Sequence, residues 1–165
     1  MQKPLTPNME MYLKTIFEIV GEGSEPRVKA IADRLGVKMP SVTGALETLQ
    51  QRGLVAHDRY GDVQLTIRGK RVARDVKDRN DLIYRFLLEV LRLPAATASR
   101  DACVLEHVVS PKTLERLESF LEFLHVCNRG ANETIAHFGN WLDCAENGEA
   151  CSACAESGGG PRCTS

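Results

Sequence analysis

The segment from Arg27 to Thr66 constrains the fold more than any other part of the chain. Ala30-Ile31-Ala32 and Leu35 mark a short helix, Gly36-Val37 a tight turn, and Pro40 to Gln51 a second helix. Proline suits the first turn of a helix, where its missing N–H costs no hydrogen bond. Val42, Ala45, Leu46 and Leu49 recur at helical spacing and predict the inner face, leaving Ser41, Thr43, Glu47 and Gln50 outside. Ala32, Gly36 and Val42 keep the spacing of a helix-turn-helix: a small residue for helix contact, a glycine in the turn and a branched residue for the core. Leu54 to Asp58, the turn Arg59-Tyr60-Gly61-Asp62 and Val63 to Thr66 then predict a β-hairpin. A helix-turn-helix followed at once by a hairpin is the layout of a winged helix, which an ordinary corner of two helices does not require. The second helix would meet phosphates or base edges through Ser41 and Thr43. Lys38 stands at its entrance, Pro40 in its first turn and Arg59 at the tip of the wing.

Charge supports a nucleic-acid partner once it is divided along the chain. The overall formal charge is −1, yet residues 1–80 hold 14 Lys+Arg against 10 Asp+Glu and residues 81–165 hold 7 against 12. The basic half can face phosphate while the acidic half stays in solvent. No stretch approaches the roughly 18–20 apolar residues that a membrane span needs. Met1-Gln2-Lys3-Pro4 opens without an apolar signal core, so a cytoplasmic protein with no membrane partner is expected. Six cysteines in a reducing compartment point to metal or redox chemistry in place of disulfides.

Helices flank the winged segment. Thr6 or Asn8 can cap a first helix reaching about Val20, with Met9, Leu13, Ile16, Phe17 and Val20 as its core stripe. Met11 falls almost opposite that stripe, among Lys14, Thr15 and Glu18, on the face expected to be wet. A long helix from Thr66 to about Leu93, closed by Pro94, carries Val72, Val76, Leu82, Ile83, Phe86, Leu87, Val90 and Leu91. Another, capped by Ser110, sets Leu114, Leu117, Phe120, Leu121 and Leu124 on one face. This much apolar surface beside a small winged helix predicts a dimerisation domain, and a homodimer would set two recognition helices on a palindromic double-stranded DNA operator. The expected fold is mainly α with a small β-hairpin wing. Its parts are a winged helix-turn-helix at 1–74, a helical metal-binding and dimerisation domain at 75–140, and a cysteine-rich tail at 141–165.

Between the long helix and the Ser110 helix lies Asp101-Ala102-Cys103-Val104-Leu105-Glu106-His107-Val108-Val109. At about 100° per residue, Cys103, Glu106 and His107 share one arc, with Leu105, Val108 and Val109 on the other, expected to be buried. Thiolate, carboxylate and imidazole at i, i+3 and i+4 can reach one ion from a single helix. Met11 could add a thioether from a second element. Cys103 and His107 also have the spacing of a nucleophile and its base, but no oxyanion loop or substrate pocket accompanies them in the sequence. The chain is therefore read as a non-enzyme.

Met9-Glu10-Met11-Tyr12-Leu13-Lys14-Thr15-Ile16, the winged helix, the long helix and Ala102-Cys103-x-x-Glu106-His107-x-x-Ser110, taken in order, resemble the diphtheria toxin repressor family of metal-dependent transcriptional regulators. The resemblance covers about residues 5–125. It implies a homodimeric repressor controlling metal homeostasis, with an Fe(II)-type ion as co-repressor held by Met11, Cys103, Glu106 and His107. Co(II), Ni(II) and Zn(II) would substitute in vitro. The chain departs from the family's pattern in several places. Asn80, Tyr84 and Ser99, which match an ancillary site of iron-type members, are weak ligands. Lys14 stands where manganese-type members use a carboxylate, and Asn80 where they use a histidine, so neither an ancillary nor a binuclear site is expected. Gly44 matches a base-contacting polar residue, so the operator sequence does not carry over. The chain is also too short for the SH3-like third domain of longer members, and the tail stands in its place.

That tail spaces Cys144, Cys151, Cys154 and Cys163 as C-x6-C-x2-C-x8-C, with Gly148 and Gly158-Gly159-Gly160 between them. Four thiolates suit zinc or an iron–sulfur cluster, with Cys127 beside His125 as a less favoured substitute ligand. So small and polar a segment would order only around an ion. It supplies the competing function, a winged-helix regulator that senses redox or iron–sulfur status through the tail instead of the helical site. Cys151→Ser/Cys154→Ser is expected to lose about one metal equivalent if zinc is bound, or broad visible absorption and labile sulfide if a cluster is. Metal content and anaerobic spectra unchanged from the wild type would exclude a tail site.

Overall fold

The computed structural model describes residues 5–57, 63–126 and 131–147. Its order is α1 (Pro7–Gly21), α2 (Val28–Leu35), α3 (Met39–Gln51), β1 (Val55–His57), β2 (Val63–Leu65), α4 (Ile67–Arg85), a π-helical turn (Phe86–Val90), α5 (Ala95–Leu105), α6 (Pro111–Val126) and α7 (Ala131–Asn147). This is the mainly α architecture with a hairpin that the sequence predicts. Two compact units are present: Met1–Asp81 with Leu105–His107, and Leu82–Val104 with Val108–Ser165.

In the first unit, the Thr6 hydroxyl accepts from the Met9 N–H at 3.4 Å and caps α1. The turn between α2 and α3 needs Gly36, whose φ of 64° lies in the left-handed region that side chains disfavour. Val42, Ala45, Leu46 and Leu49 of α3 are buried, as their spacing predicts, against Leu13 and Ile16 of α1 and Ile31 of α2 within one core. β1 and β2 pair antiparallel with Val55 opposite Leu65 and His57 opposite Val63. Val55, Val63 and Leu65 join the core while Ala56 and Gln64 face out, the period-two pattern of a half-buried hairpin. The hairpin's turn, with Arg59, lies outside the described residues.

Three expectations need correction. On α1 the buried face is Tyr12, Leu13, Lys14, Thr15, Ile16 and Ile19, whereas Val20 is 44% exposed. Met9 and Phe17 are only partly buried. The supposedly wet face is covered because Leu105–His107 belongs to this unit and brings Glu106 to Lys14. Second, α5 ends at Leu105, so Glu106 and His107 occupy the turn that follows. The inner stripe runs through Ala98, Ala102 and Glu106, and Val104 and Val108 are 64% and 72% exposed. Glu106 is thus inside and Val108 outside, the reverse of the expectation, because Glu106 is buried against a cation, while Cys103, Leu105, His107 and Val109 are half-buried. Third, the long helix widens into a π-turn after Arg85, and Arg92, at φ 56°, follows it before Pro94.

The second unit comprises the end of α4 from Leu82, the π-turn, α5 as far as Val104, α6 and α7. Ile83, Leu87 and Leu121 are buried there, and the Phe86 and Phe120 rings meet edge to face with centroids 6.2 Å apart. Leu114, Leu117 and Leu124 of α6 are half-buried, and Phe120 and Phe123 are exposed.

One close approach fixes α4 against the strand that starts the hairpin. The Thr66 hydroxyl donates to the Gly53 carbonyl at 2.8 Å and accepts from the Gly69 N–H at 3.0 Å. A Cβ on Gly69 would stand 1.9 Å from the Leu54 carbonyl oxygen, which is backbone and cannot swing away. Gly69→Ala is therefore expected to destabilise the fold by about 1–3 kcal/mol or more. Urea unfolding measures this directly, and an unchanged midpoint with an unchanged slope would contradict the close approach.

Candidate metal centre and nucleic-acid face

Glu10 and Lys14 lie one turn apart on α1, so their side chains leave the same side of the helix. Opposite them come Glu106 and His107 from the turn after α5. Glu106 is 1% exposed. The Lys14 Nζ donates to both of its carboxylate oxygens, at 2.8 Å to Oε1 and 2.9 Å to Oε2. Burying two charges costs several kcal/mol each, and the pair persists because each ion satisfies the other. Removing one partner from such a pair costs about 3–5 kcal/mol.

His107 is held beside this pair. Its Nδ1 lies 3.0 Å from Glu10 Oε2, and the same oxygen accepts from Arg79 Nη2 of α4 at 3.2 Å. A carboxylate acceptor makes Nδ1 the donor, which turns Nε2 toward Glu106 Oε1 at 3.3 Å. The result is a chain of contacts, Arg79–Glu10–His107–Glu106–Lys14. In the neutral ring the Nε2 lone pair and a carboxylate oxygen then face the same place, as two ligands of one cation must. A carboxylate fixing the far nitrogen is also the usual support of a metal-binding histidine.

Of the expected ligands, Glu106 and His107 are adjacent in this way. Met11 is half-buried on α1 and Cys103 half-buried on α5, in the first and second units respectively. Among the described residues no three His, Cys, Asp or Glu side chains are gathered at metal-holding spacing. Glu106 and His107 alone offer a carboxylate oxygen and an imidazole nitrogen of the kinds a divalent ion takes, with the carboxylate held by Lys14. Sequence reasoning missed Glu10 and Arg79 as partners of the centre, and treated Lys14 only as a missing carboxylate. The one available signal was the i, i+4 spacing of Glu10 and Lys14 around Met11. Of the tail cysteines, Cys144 is half-buried in α7, while Cys151, Cys154 and Cys163, like Cys127, lie outside the described residues.

The other face of the first unit carries the start of α3. Lys38, Pro40, Ser41 and Thr43 are all exposed there, together with Met39 and Gly44. The Thr43 hydroxyl donates to the Met39 carbonyl at 3.2 Å, so its single proton is engaged and only acceptor capacity and the methyl remain for a ligand. Lys38 and Ser41, also exposed, carry side-chain donors. At the far end of α1, Arg34 of α2 donates to Glu22 at 2.7 and 2.5 Å. The guanidinium holds the Glu22 carboxyl below its ordinary range. This clamp's contribution is present above the unfolded carboxyl's pKa and fades as pH falls through the lowered one.

Both halves of the chain match family models. Residues 4–63 match the iron dependent repressor N-terminal DNA binding domain, and residues 66–134 the iron dependent repressor metal binding and dimerisation domain. An uncharacterized HTH-type transcriptional regulator of Methanocaldococcus jannaschii is 34% identical over 119 residues, covering 72% of this chain and 95% of that protein. The iron-dependent repressor IdeR of Mycobacterium tuberculosis is 34% identical over 138 residues, 82% of this chain and 55% of IdeR. The chain thus spans about half the length of that longer relative. Among solved structures, the manganese regulator SloR superposes with a TM-score of 0.64 at 34% identity, covering 72% of this chain and 55% of SloR.

Proposed function

The chain belongs to the iron-dependent repressor family, and from that premise we propose that it is a DNA-binding transcriptional repressor whose operator affinity is set by a divalent metal ion. The observation that carries this reading is the position of Glu106 and His107 against α1. That helix also packs on α2, α3 and the hairpin. Met11, Cys103, Glu106 and His107 are the proposed ligands, and the bound ion supplies a positive charge that these side chains share.

The chain's own residues explain how the centre reaches DNA. Glu10 orients the imidazole, and Lys14 and Arg79 balance the two carboxylates. Tyr12, Leu13 and Ile16 of α1 share one core with Ile31 of α2 and with Val42 and Leu46 of α3. A tightly packed core transmits displacement instead of absorbing it, so a change in the seating of α1 alters the presentation of α3. Metal activation is then a coupling between two sites, limited by the differential affinity of the ion for the two arrangements. The exposed Val104, Val108, Phe120 and Phe123 favour a homodimer, which would set two α3 helices on a palindromic operator.

Fe(II) is the proposed cellular signal, in line with the similarity to IdeR. The thioether and thiolate favour borderline ions over Mn(II), and Co(II), Ni(II) and Zn(II) bind such donors at least as well. Operator selection followed by fluorescence anisotropy, with chelated protein and each ion in turn, tests the function. Binding that ignores every ion would refute it. Several of these ions are expected to activate binding, and Cys103→Asp to move the preference toward Mn(II). A wild type that responds best to Mn(II) would overturn the ligand assignment. Lys38→Ala is expected to weaken binding on all sequences and to reduce the salt slope by about one counterion. A salt slope equal to the wild type's would remove Lys38 from the interface.

A further inference from the structure

We propose that the Lys14 ammonium is the resident cation of this centre, and that metal binds by exchange, displacing Lys14 from Glu106. The proposal rests on the metal-activated reading above and adds to it a residue that sets the affinity. Lys14 engages both Glu106 oxygens, at 2.8 and 2.9 Å, and the Glu106 side chain is wholly buried. No solvent-facing oxygen remains for an arriving ion. His107 Nε2 lies 3.3 Å from Oε1, one of the two oxygens that Lys14 holds. An ion ligated by both residues would share that oxygen with an ammonium, and repulsion between two cations is strong where water is excluded. One must leave.

Lys14 has somewhere to go. Glu18 is one turn further along α1, half-buried, and burial raises its pKa while the charge of Lys14 counteracts the rise. The lysine stem is long and flexible enough to carry its ammonium, proton retained, to that carboxylate or to water. In the exchange no bond is made or broken beyond ligand contacts, and the centre keeps a cation throughout. Because only the fraction with Glu106 released can accept metal, the wild-type affinity is reduced by that fraction. Lys14 therefore sets the metal concentration at which the protein responds and selects against weakly bound ions.

The test uses the full chain carrying Cys151→Ser/Cys154→Ser, so that tail thiolates do not take the probe ion, with lysine side chains labelled with 15N and Zn(II) as a diamagnetic probe. The buried Lys14 ammonium is expected to give a slowly exchanging signal, assigned by its loss in Lys14→Met, that disappears as one equivalent of Zn(II) binds. In competition with a chromophoric chelator, Lys14→Met is expected to bind Zn(II) on the order of tenfold or more tightly at the same stoichiometry. If that variant does not fold without metal, Lys14→Gln serves both measurements. A Lys14 signal that persists at saturation, or variants that bind no more tightly, overturns the exchange. His107→Ala separates the two readings. If it abolishes Zn(II) binding while the Lys14 signal persists in the parent protein, the metal centre stands and the exchange alone fails. If it leaves Zn(II) binding intact, the metal centre itself is misplaced and the exchange falls with it.

Discussion

The seating of Leu105–His107 on the first unit turns on the burial of one carboxylate. A carboxylate at 1% exposure is costly without a counter-charge, and the cation beside Glu106 is on α1, 92 residues earlier in the chain. That pairing has local consequences. It draws Leu105–His107 into the N-terminal unit, it coincides with the end of α5 at Leu105, and it leaves Val104 and Val108 in solvent. It also determines where His107 points, because Glu10 stands one turn before Lys14 and takes the imidazole's other nitrogen. A hydrophobic pair at these positions would hold the segment equally well, and replacing buried ion pairs by apolar side chains is often neutral or favourable. Stability alone therefore does not call for a charged pair at Lys14 and Glu106.

The winged segment was legible because its signals are local. Gly36 needs a left-handed backbone, Pro40 fits a first helical turn, and Val42, Ala45, Leu46 and Leu49 repeat at a single period. Each can be read without knowing what lies across the core. The two helices that contribute to the centre were less legible for the opposite reason. On α1, Lys14 and Thr15 look like solvent residues, and only a partner from residues 105–107 makes that face an interior. Counting them as wet rotated the predicted stripe toward Val20. Around the end of α5, periodicity alone does not distinguish a buried carboxylate from an exposed one, so it predicts Val108 inward and Glu106 outward.

The site divides along the same line. Cys103, Glu106 and His107 attracted notice because thiol, carboxylate and imidazole are uncommon together, and that is a statement about chemistry that needs no fold. Glu10 and Arg79 escaped it because single charged residues on helices are ordinarily solvated. Their role appears only when the Glu10 Oε2 is found accepting from both His107 and Arg79. Residue types that could bind are thus easier to read than residues placed to orient them, since orientation is a property of geometry. Thr43 makes the same point on the proposed DNA face, where its bond to Met39 changes what its hydroxyl can offer.

These features converge on α1. Across one face it presents Glu10 and Lys14 to His107 and Glu106, and across the other it gives Leu13 and Ile16 to the core shared with α2 and α3. A helix cannot answer a change on one face without carrying the other along, because its backbone hydrogen bonds hold it as a rod. The tight packing beneath it, where Leu13, Ile16, Ile31 and Leu46 are entirely buried, leaves no slack to absorb the motion. On the proposed mechanism the same rigidity explains why the ligands need not touch the DNA-reading helix. An ion that alters the partners of Glu106 and His107 acts on α1, and α1 is already part of the platform on which α3 rests.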